Sequence, residues 1–399
     1  MRILFITDSL PYPPFSGDRL RVYSLLRRIA ARHEVWLAAL IDSADREDGL
    51  PHLTELCRRV ETAHLRRRHP LAHLPGLIGY ALAGRPLELK FQHSAALARR
   101  IRAMTADQDF DLVHIEPSSM ALYWESLSPA SRGKRLLGFH NVTWQQYARL
   151  SGIEQGRGDQ ARAWLHSRMM RRWEPRYAGR FDRCMAVSEE DRRLLLSANP
   201  RLHVDVVPNG VDTRALRPLP GAENPCALLF VGKMSSPACT DGALYLCREV
   251  LPLLRREVPD AEVWLVGADP PPAVQRLAGE GVYVTGRVDD VTPYYRRCAV
   301  SVTPIRAGGG TRLKVLESMA LGRPVVSTPV GCEGLEVADG EHLLVADSPA
   351  EFAAQVARLL RDKRLSERLA ASARRLVEAR YDWDLIAERQ MQIYAEVVG

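Results

Sequence analysis

Three common features are missing from this 399-residue sequence: a long apolar run, a pair of closely spaced cysteines and a lysine-rich surface. A membrane-spanning helix needs about 20 mostly apolar residues, and no run in the sequence approaches that length. The seven cysteines form no C-x-x-C motif, which argues against a zinc site and a thioredoxin-like redox centre. We therefore expect reduced thiols that pack as small apolar side chains.

Two nucleotide-binding motifs are also absent. No G-x-G-x-x-G follows the first predicted strand and no G-x-x-x-x-G-K-[ST] occurs, which argues against a nicotinamide or flavin site and against a P-loop. Two D-x-D triplets, a pattern that can hold a divalent metal, occur at residues 109–111 and 382–384. We interpret both as capping or surface acids and expect neither a required metal nor a cofactor.

The charge is strongly basic and carried mainly by arginine. A net charge of +7 and a pI near 9.1 favour an anionic partner: nucleic acid, an acidic lipid surface or a phosphorylated substrate. An excess of arginine over lysine more often reflects the base composition of the genome than the function of the protein. The positions where lysine persists are Lys90, Lys134, Lys233, Lys314 and Lys363.

Two arginine-rich segments, residues 57–68 and 164–180, have two interpretations. The first is followed by the apolar stretch 71–82, and the second interleaves arginines with aromatic side chains. Either segment could lie on an anionic membrane surface as a basic-aromatic helix, or present a solvated arginine face over a packed core. Residues 2–7 predict a buried strand and not a secretion signal, because Asp8 interrupts the apolar run. We expect a cytoplasmic protein, with peripheral contact to the inner face of the plasma membrane as an open alternative.

Short apolar runs alternate with helical patterns along the whole chain, as in βα units that build parallel sheets. Predicted strands of the first half are Ile3–Thr7, Glu34–Ala39, Leu112–Ile115, Leu136–Phe139, Arg183–Val187 and Val204–Val207. Those of the second half are Ala227–Val231, Glu262–Val266, Val282–Thr285, Ser301–Thr303, Val325–Ser327 and Leu343–Val345. Predicted helices are Asp18–Arg32, Gly242–Glu257, Arg312–Leu321 and Pro349–Arg361. The pattern predicts an α/β protein of two Rossmann-like domains, residues 1–207 and 226–380, joined by a proline- and glycine-rich linker at 208–225.

The segment from Pro304 to Ala320 carries the strongest chemical signal. A strand ends, a glycine-rich loop lets the backbone approach a ligand, and a helix begins with its N–H groups and dipole favouring an anion. Two cations follow at once, and an acid further along the helix can accept hydrogen bonds from a ribose diol. The residues are Gly308, Gly309, Gly310, Thr311, Arg312, Lys314 and Glu317. The alternative is a loop needed only for a tight strand–helix join.

Three further loops follow predicted strands, where open α/β sheets bind ligands. Gly232 and Lys233 follow the strand that ends at Val231, although a lysine in such a place is often only exposed. His140 follows the strand that ends at Phe139, and it could also be a core histidine. The third loop contains Ser16, Gly17 and Asp18. Gly17 permits close approach, and Asp18 either caps the next helix or meets an acceptor hydroxyl.

Taken together, these motifs resemble the GT-B glycosyltransferases of family 4 (group 1), most closely the sugar transferases of bacterial exopolysaccharide clusters. The similarity covers nearly the whole chain. It rests on Leu10-Pro11-Tyr12-Pro13-Pro14 with Gly17-Asp18-Arg19, on Val207-Pro208-Asn209-Gly210-Val211-Asp212, on Val284-Thr285-Gly286-Arg287-Val288-Asp289-Asp290-Val291, and on the 308–320 stretch. One departure is Gly309, which stands where many members carry the first of two glutamates.

The resemblance implies a GT-B fold, with two parallel sheets facing across a cleft and a last helix, 381–399, that returns to the first domain. It implies that a nucleotide-sugar donor lies in the second domain, with the nucleotide near Val288 and Val291 and its ribose on Glu317. Its diphosphate would meet the cations Lys233, Arg312 and Lys314, beside Gly232 and the glycine loop. His140 and Gly17 would face the transferred sugar and the acceptor.

The predicted reaction is a retaining, metal-independent glycosyl transfer from a nucleotide-diphosphate sugar to a glycan or polyprenyl-linked acceptor in polysaccharide biosynthesis. Three alternatives stay open. A nucleotide-sugar epimerase shares this architecture. A non-catalytic partner subunit would tolerate Gly309. A nucleic-acid binder would explain the net charge, but the cations accompany glycines and not the aromatic platforms on which bases stack.

Overall fold

The computed structural model describes residues 1–41, 49–65, 80, 84–153 and 156–399. Contacts divide the chain into two units, each with its own parallel sheet. The first contains Met1–Tyr147, Arg162–Pro208 and Asp384–Gly399. The second contains Ala148–Ala161 and Asn209–Trp383. The short excursion Ala148–Ala161 into the second unit has no counterpart among the predicted boundaries.

The first unit is built on a seven-stranded sheet in the described residues, and all of its strand pairs are parallel. Its strands are β1 (Arg2–Thr7), β2 (Glu34–Ile41), β3 (Arg59–His64), β4 (Leu112–Glu116), β5 (Lys134–Gly138), β6 (Arg183–Ala186) and β7 (Val204–Val206). They lie in the order β3-β2-β1-β4-β5-β6-β7. The central strands are buried on both faces, as expected of parallel strands covered by helices.

Amphipathic helices cover this sheet. The helix Gly17–Ala30 turns Val22, Leu25, Leu26 and Ile29 inward at the three- and four-residue spacing that puts side chains on one face. The described α-helices wholly in this unit are Gly17–Ala30, Leu50–Leu56, Ala95–Asp107 and Glu189–Ala198, with 3₁₀ segments at Leu87–Lys90 and Ser118–Ser126. Three further helices have most of their residues in it: Thr143–Leu150, Arg157–Ala178 and Trp383–Val398. Within the described residues, no helix combines the length and the apolar character needed to cross a bilayer.

The second unit has a six-stranded parallel sheet in the described residues. Its strands are β8 (Asn224–Val231), β9 (Glu262–Val266), β10 (Val282–Val284), β11 (Cys298–Thr303), β12 (Val325–Ser327) and β13 (Leu344–Val345), in the order β10-β9-β8-β11-β12-β13. Its described α-helices are Pro237–Tyr245, Leu251–Glu257, Pro272–Gln275, Thr292–Arg297, Leu313–Ala320, Pro349–Arg361 and Lys363–Arg380. A π-helical turn, Leu246–Val250, joins the first two.

The structure confirms the twelve predicted strands and differs in two elements. The arginine-rich segment 57–68 contains β3, so the prediction of a basic helix there was wrong; residues 66–68 and most of the apolar stretch 71–82 lie outside the described residues. The helix predicted from Gly242 begins at Pro237, where Ser236 caps it by accepting a hydrogen bond from the Cys239 amide.

In the second D-x-D triplet, Asp382 has a structural task and is not a surface acid, whereas Asp384 is partly exposed and pairs with Arg28. Asp382 is buried and accepts hydrogen bonds from the amide and the hydroxyl of Thr213. Beside it, the amide of Val211 donates to the Tyr381 carbonyl at 2.7 Å. A Cβ added to Gly210 would lie 2.7 Å from the ring of Trp383, so glycine is required there. These contacts explain the Asn-Gly-Val-Asp part of the second motif.

Candidate active site

In the second unit, the loops after β8 and β11 lie side by side. The chain proceeds outward in opposite directions from these neighbouring strands, which makes this edge the switch point where open α/β sheets bind ligands. The first loop carries Gly232 and Lys233, and the second carries the glycine-rich segment 308–310. The strand order therefore brings together two of the predicted donor-site motifs.

The glycine loop adopts backbone conformations that other residues avoid. Gly308 has φ +123° and Gly310 has φ +69°, whereas Gly309 has no such requirement. Thr311 is fixed by Asn209, whose amide nitrogen donates to the Thr311 hydroxyl oxygen at 2.8 Å. The loop is thus ordered by its own backbone and by a side chain far away in the sequence.

Arg312 and Lys314 have different surroundings. Arg312 is the N-cap residue of the helix Leu313–Ala320, and its guanidinium donates to the carbonyl of Gly309. The half-buried Lys314 places its Nζ 3.6 Å from the Cys239 Sγ and 4.7 Å from the centre of the Phe230 ring. The cation of Arg312 therefore braces the loop, and that of Lys314 is held against a thiol and an aromatic face.

Gly232 lies directly beside the Lys314 ammonium. A Cβ added at Gly232 would come within 2.7 Å of the Lys314 Nζ and 2.8 Å of the Cys239 Sγ. Glycine at this position makes room for the lysine, which the sequence pattern alone did not reveal. The neighbouring Lys233 is exposed.

The other residues predicted to bind the donor, Glu317, Val288 and Val291, are partly buried. Glu317 is half-buried one helical turn after Lys314; burial raises the pKa of its carboxyl and the lysine opposes the shift. Val288 and Val291 are partly buried and pack against a small core cluster, so their side chains serve the fold.

Two residues of the second unit were not identified from the sequence. The Arg149 guanidinium donates to the Gly308 carbonyl at 3.1 Å, and its other nitrogen donates to Glu333 at 2.7 Å. Arg149 belongs to the Ala148–Ala161 excursion, and 184 positions separate it from Glu333. No local sequence signal could have revealed this pair.

In the first unit, the corresponding switch point lies between β1 and β4. Asp8 follows β1, Glu116 ends β4, and His140 follows β5. The His140 Nε2 lies 3.3 Å from the Glu116 Oε2. Burial, followed by the nearby Asp18, raises the pKa of Asp8 to about 6, although His140 opposes the shift. The predicted His140 thus stands beside two acids that the sequence analysis did not select.

The predicted acceptor loop differs in one detail. Ser16 occupies the N-cap position of the helix Gly17–Ala30, so the interpretation of Asp18 as the cap was wrong. Asp18 lies in the first turn, where an acid favourably meets the helix dipole. Gly17 and Asp18 are exposed.

Two family models match this chain over separate ranges. The family "Glycosyltransferase Family 4" matches residues 17–215, and "Glycosyl transferases group 1" matches residues 225–362. The chain belongs to the group 1 glycosyltransferases of family 4. Membership confirms the predicted enzyme class, a glycosyltransferase.

Individual relatives of this glycosyltransferase are distant. A phosphatidyl-myo-inositol mannosyltransferase of Mycobacterium leprae is 28% identical over 320 residues, 77% of this chain and 79% of its own. An uncharacterized 44.6 kDa protein from the cps region of Klebsiella pneumoniae is 22% identical over 96% of both chains. Anabaena HepE, solved with UDP-glucose, superposes with a TM-score of 0.69 at 17% identity, covering 99% of this chain and 100% of its own. The superposition confirms the GT-B fold.

A third acid of the glycosyltransferase organises the loops that carry Glu116 and His140. The buried Glu174 accepts hydrogen bonds from the hydroxyls of Ser118 at 2.5 Å and Thr143 at 2.7 Å. Ser118 lies two residues after Glu116, and Thr143 lies three residues after His140. Burial raises the pKa of Glu174 to about 7 against the effect of these hydrogen bonds.

We expect Glu174 to make stability depend on pH. Between its ordinary pKa of 4.5 and about 7, the folded protein keeps a proton that the unfolded chain has lost. The unfolding free energy therefore falls as pH rises through this window and levels off above it, by on the order of 3 kcal/mol. Denaturant titrations from pH 4.5 to 8 should show this fall in the wild type relative to Glu174→Gln. The exposed-acid control Glu190→Gln should follow the wild type, and parallel curves for all three proteins would contradict the assignment.

Proposed function

We propose that this glycosyltransferase transfers a hexosyl group from a nucleoside-diphosphate sugar, with retention and without a metal, to a glycan or polyprenyl-linked acceptor of polysaccharide biosynthesis. The observation that carries the proposal is the Lys314 ammonium beside Gly232 at the switch point of the second sheet. An anion bound there would meet the glycine-loop backbone and the start of the helix Leu313–Ala320.

The chemistry requires stabilisation of a departing nucleoside diphosphate. The half-buried Lys314 and the exposed Lys233 supply positive charge from neighbouring loops. Fixed cations in a site of low polarity can take the charge-neutralising role that a divalent ion has in other enzymes. Glu317 lies on the helix Leu313–Ala320, four residues after its first residue, and is the proposed partner of the ribose. These roles support independence from metal.

Retention, donor and acceptor rest on the family and on the relatives. Retention is what the resemblance to family 4 implies. HepE was solved with UDP-glucose, the mycobacterial relative is named as a mannosyltransferase of a phosphatidylinositol, and the Klebsiella protein is encoded in a capsule (cps) region. These names favour a hexose donor and an acceptor that is lipid-linked or part of a glycan.

Nucleoside-diphosphate release tests the proposal directly. The purified protein would be incubated with UDP-, GDP-, ADP- and dTDP-sugars in EDTA, alongside Glu317→Gln and Lys314→Ala. We expect release from one donor and a strong loss in both variants. Conversion of the donor to an isomer without release would indicate an epimerase. Silence across the panel, with no donor protecting the fold against heat, would indicate a non-catalytic subunit.

The second proposed partner is an anionic membrane surface. On the helix Arg157–Ala178, Trp173 and Tyr177 are buried in the core, whereas Trp164 and Leu165 are 54% and 53% exposed. The neighbouring arginines of this helix face solvent. A contact of 3.2 Å between His166 and Glu88 joins the helix to the segment with the exposed residues Leu87 and Phe91. Exposed apolar side chains among cations suit a membrane surface.

We expect the double variant Trp164→Ser, Leu165→Ser to bind vesicles of anionic phospholipid at least about 10-fold more weakly, because each lost insertion of a large apolar side chain costs about 1.5–3 kcal/mol. Co-sedimentation at two salt concentrations provides the measurement. Leu385→Ser is the matched control, since Leu385 is a similarly exposed leucine on another helix. Equal binding by both variants would contradict this surface.

A further inference from the structure

Glu116 is a buried carboxylate whose surroundings keep it ionised. It is 1% exposed, and burial by itself would raise its pKa. The neighbouring His114, then His140 through its hydrogen bond and charge, and then the Arg21 guanidinium, 3.9 Å away, together outweigh burial and hold the pKa of Glu116 below its usual range. Burial lowers the pKa of His114 itself to about 4, so its ring is neutral at neutral pH.

An ionised carboxylate can only accept hydrogen bonds. The contact of 3.3 Å between the Glu116 Oε2 and the His140 Nε2 therefore requires the proton to be on Nε2. In the neutral ring, Nδ1 is then the acceptor. A partner on one ring nitrogen fixes the chemistry of the other, as in metal sites where a carboxylate orients a ligating histidine.

The surroundings of Glu116 are shaped for this carboxylate. A Cβ added at Gly138 would lie 2.7 Å from the Glu116 Cβ and 2.9 Å from its Oε2, so glycine on the neighbouring strand makes the space. The other oxygen, Oε1, is buried and has no hydrogen-bond partner. A buried ion with an unsatisfied oxygen is a poor way to gain stability. The hydrogen bond between Oε2 and His140 is a better explanation for a buried carboxylate at this position.

We propose that Glu116 is a positioning residue that holds His140 in the Nε2–H tautomer, so that Nδ1 accepts a hydrogen bond from a substrate hydroxyl. The substrate in this inference rests on the proposed function, whereas the tautomer of His140 does not depend on it. Glu174 supports the same arrangement, since it fixes Ser118 and Thr143, which lie just after Glu116 and His140. The site would then select a ligand that donates a proton at this point, and a fluorine in place of the hydroxyl would not satisfy it.

The tautomer is tested by ¹⁵N NMR of the full-length protein labelled at histidine, with the His140 signals identified from their loss in His140→Gln. In the neutral form of the wild-type ring we expect a protonated Nε2 and an unprotonated Nδ1. Glu116→Gln keeps an acceptor oxygen but adds N–H donors that can bind an unprotonated Nε2, so it should weaken the preference for this tautomer, whereas Glu116→Ala should remove it. An unchanged tautomer in Glu116→Ala, or a neutral wild-type ring that carries its proton on Nδ1, would overturn the proposal without affecting the proposed reaction.

Kinetics provide the second readout. We expect Glu116→Ala to lower kcat roughly 10-fold or more, as losses of orienting partners commonly do, and Glu116→Gln, which still hydrogen-bonds the ring, to recover part of that loss. Asp205→Ala is the control, because it removes a partner of Arg183 on β7 of the same unit and should leave turnover unchanged. Equal losses in the Ala and Gln variants would assign the effect to charge and overturn positioning. If the wild type releases no nucleotide, the proposed function fails while the NMR result still stands.

Discussion

Lys314→Ala should lower turnover about 100-fold or more while leaving the fold intact. The Lys314 Nζ is positioned by the Phe230 ring, 4.7 Å away, and by the space that Gly232 leaves open. In the proposed reaction the leaving diphosphate gains charge in the transition state, so a fixed cation beside it would act on kcat more than on KM. Removal of one such preorganised group typically costs a factor of 10²–10³.

Initial rates of nucleoside-diphosphate release provide the measurement, and two further variants make it decisive. Lys314→Met keeps most of the apolar stem over Phe230 and removes the charge, so it should lose as much activity as Lys314→Ala. Lys363→Ala removes a lysine that is 87% exposed on another helix and should match the wild type. Near-normal turnover in Lys314→Met would show that the charge is not used.

Gly267→Ala should destabilise the second unit by about 3 kcal/mol or more. Gly267 follows β9 with φ +147°, which side chains rarely tolerate, and an added Cβ would lie 1.7 Å from the Gly232 carbonyl oxygen. Because that neighbour is backbone, two strand ends must separate. Backbone strain and overpacking each cost about 1–3 kcal/mol. Any folded variant should also bind the donor more weakly, since Gly232 adjoins Lys314.

Chemical denaturation followed by circular dichroism measures this loss. Gly221→Ala is the matched control, because nothing lies within 4 Å of its added Cβ. We expect that variant to remain within about 0.5 kcal/mol of the wild type, as surface substitutions usually do. Similar midpoints for the two alanine variants would mean that the approach of Gly232 to Gly267 is not tight in solution.

The strands and the position of the glycine loop could be predicted because their signals are local. Apolar runs such as Ile3–Thr7 are recognisable when both faces of a strand are buried, and the Gly308–Lys314 pattern contains its own chemistry. The strand β3 was missed because it lacks such an apolar run. It lies at the sheet edge, and of its six residues only Ala63 is buried, so no apolar run marks it.

Other parts of the site depend on contacts that no local pattern encodes. Glu116 resembles an ordinary strand end, and its role follows from His140 on the adjacent β5 loop and from Arg21 in the first helix. Gly232 resembles a turn glycine until the Lys314 Nζ is located beside it. Asp382 looked like a surface acid until Thr213, 169 positions away, was found on its carboxylate. Such assignments require three-dimensional proximity.

The glycine loop of the second unit is fastened by side chains from distant stretches of sequence. Asn209 holds Thr311, and Arg149 joins the Gly308 carbonyl to Glu333. An engineer who grafted only residues 308–314 from a relative to change the proposed donor site would therefore transplant the loop without the side chains that support it. The positions that support the proposed donor loop are thus scattered along the chain, and we expect recombination that keeps them together to succeed more often than exchange of a contiguous segment.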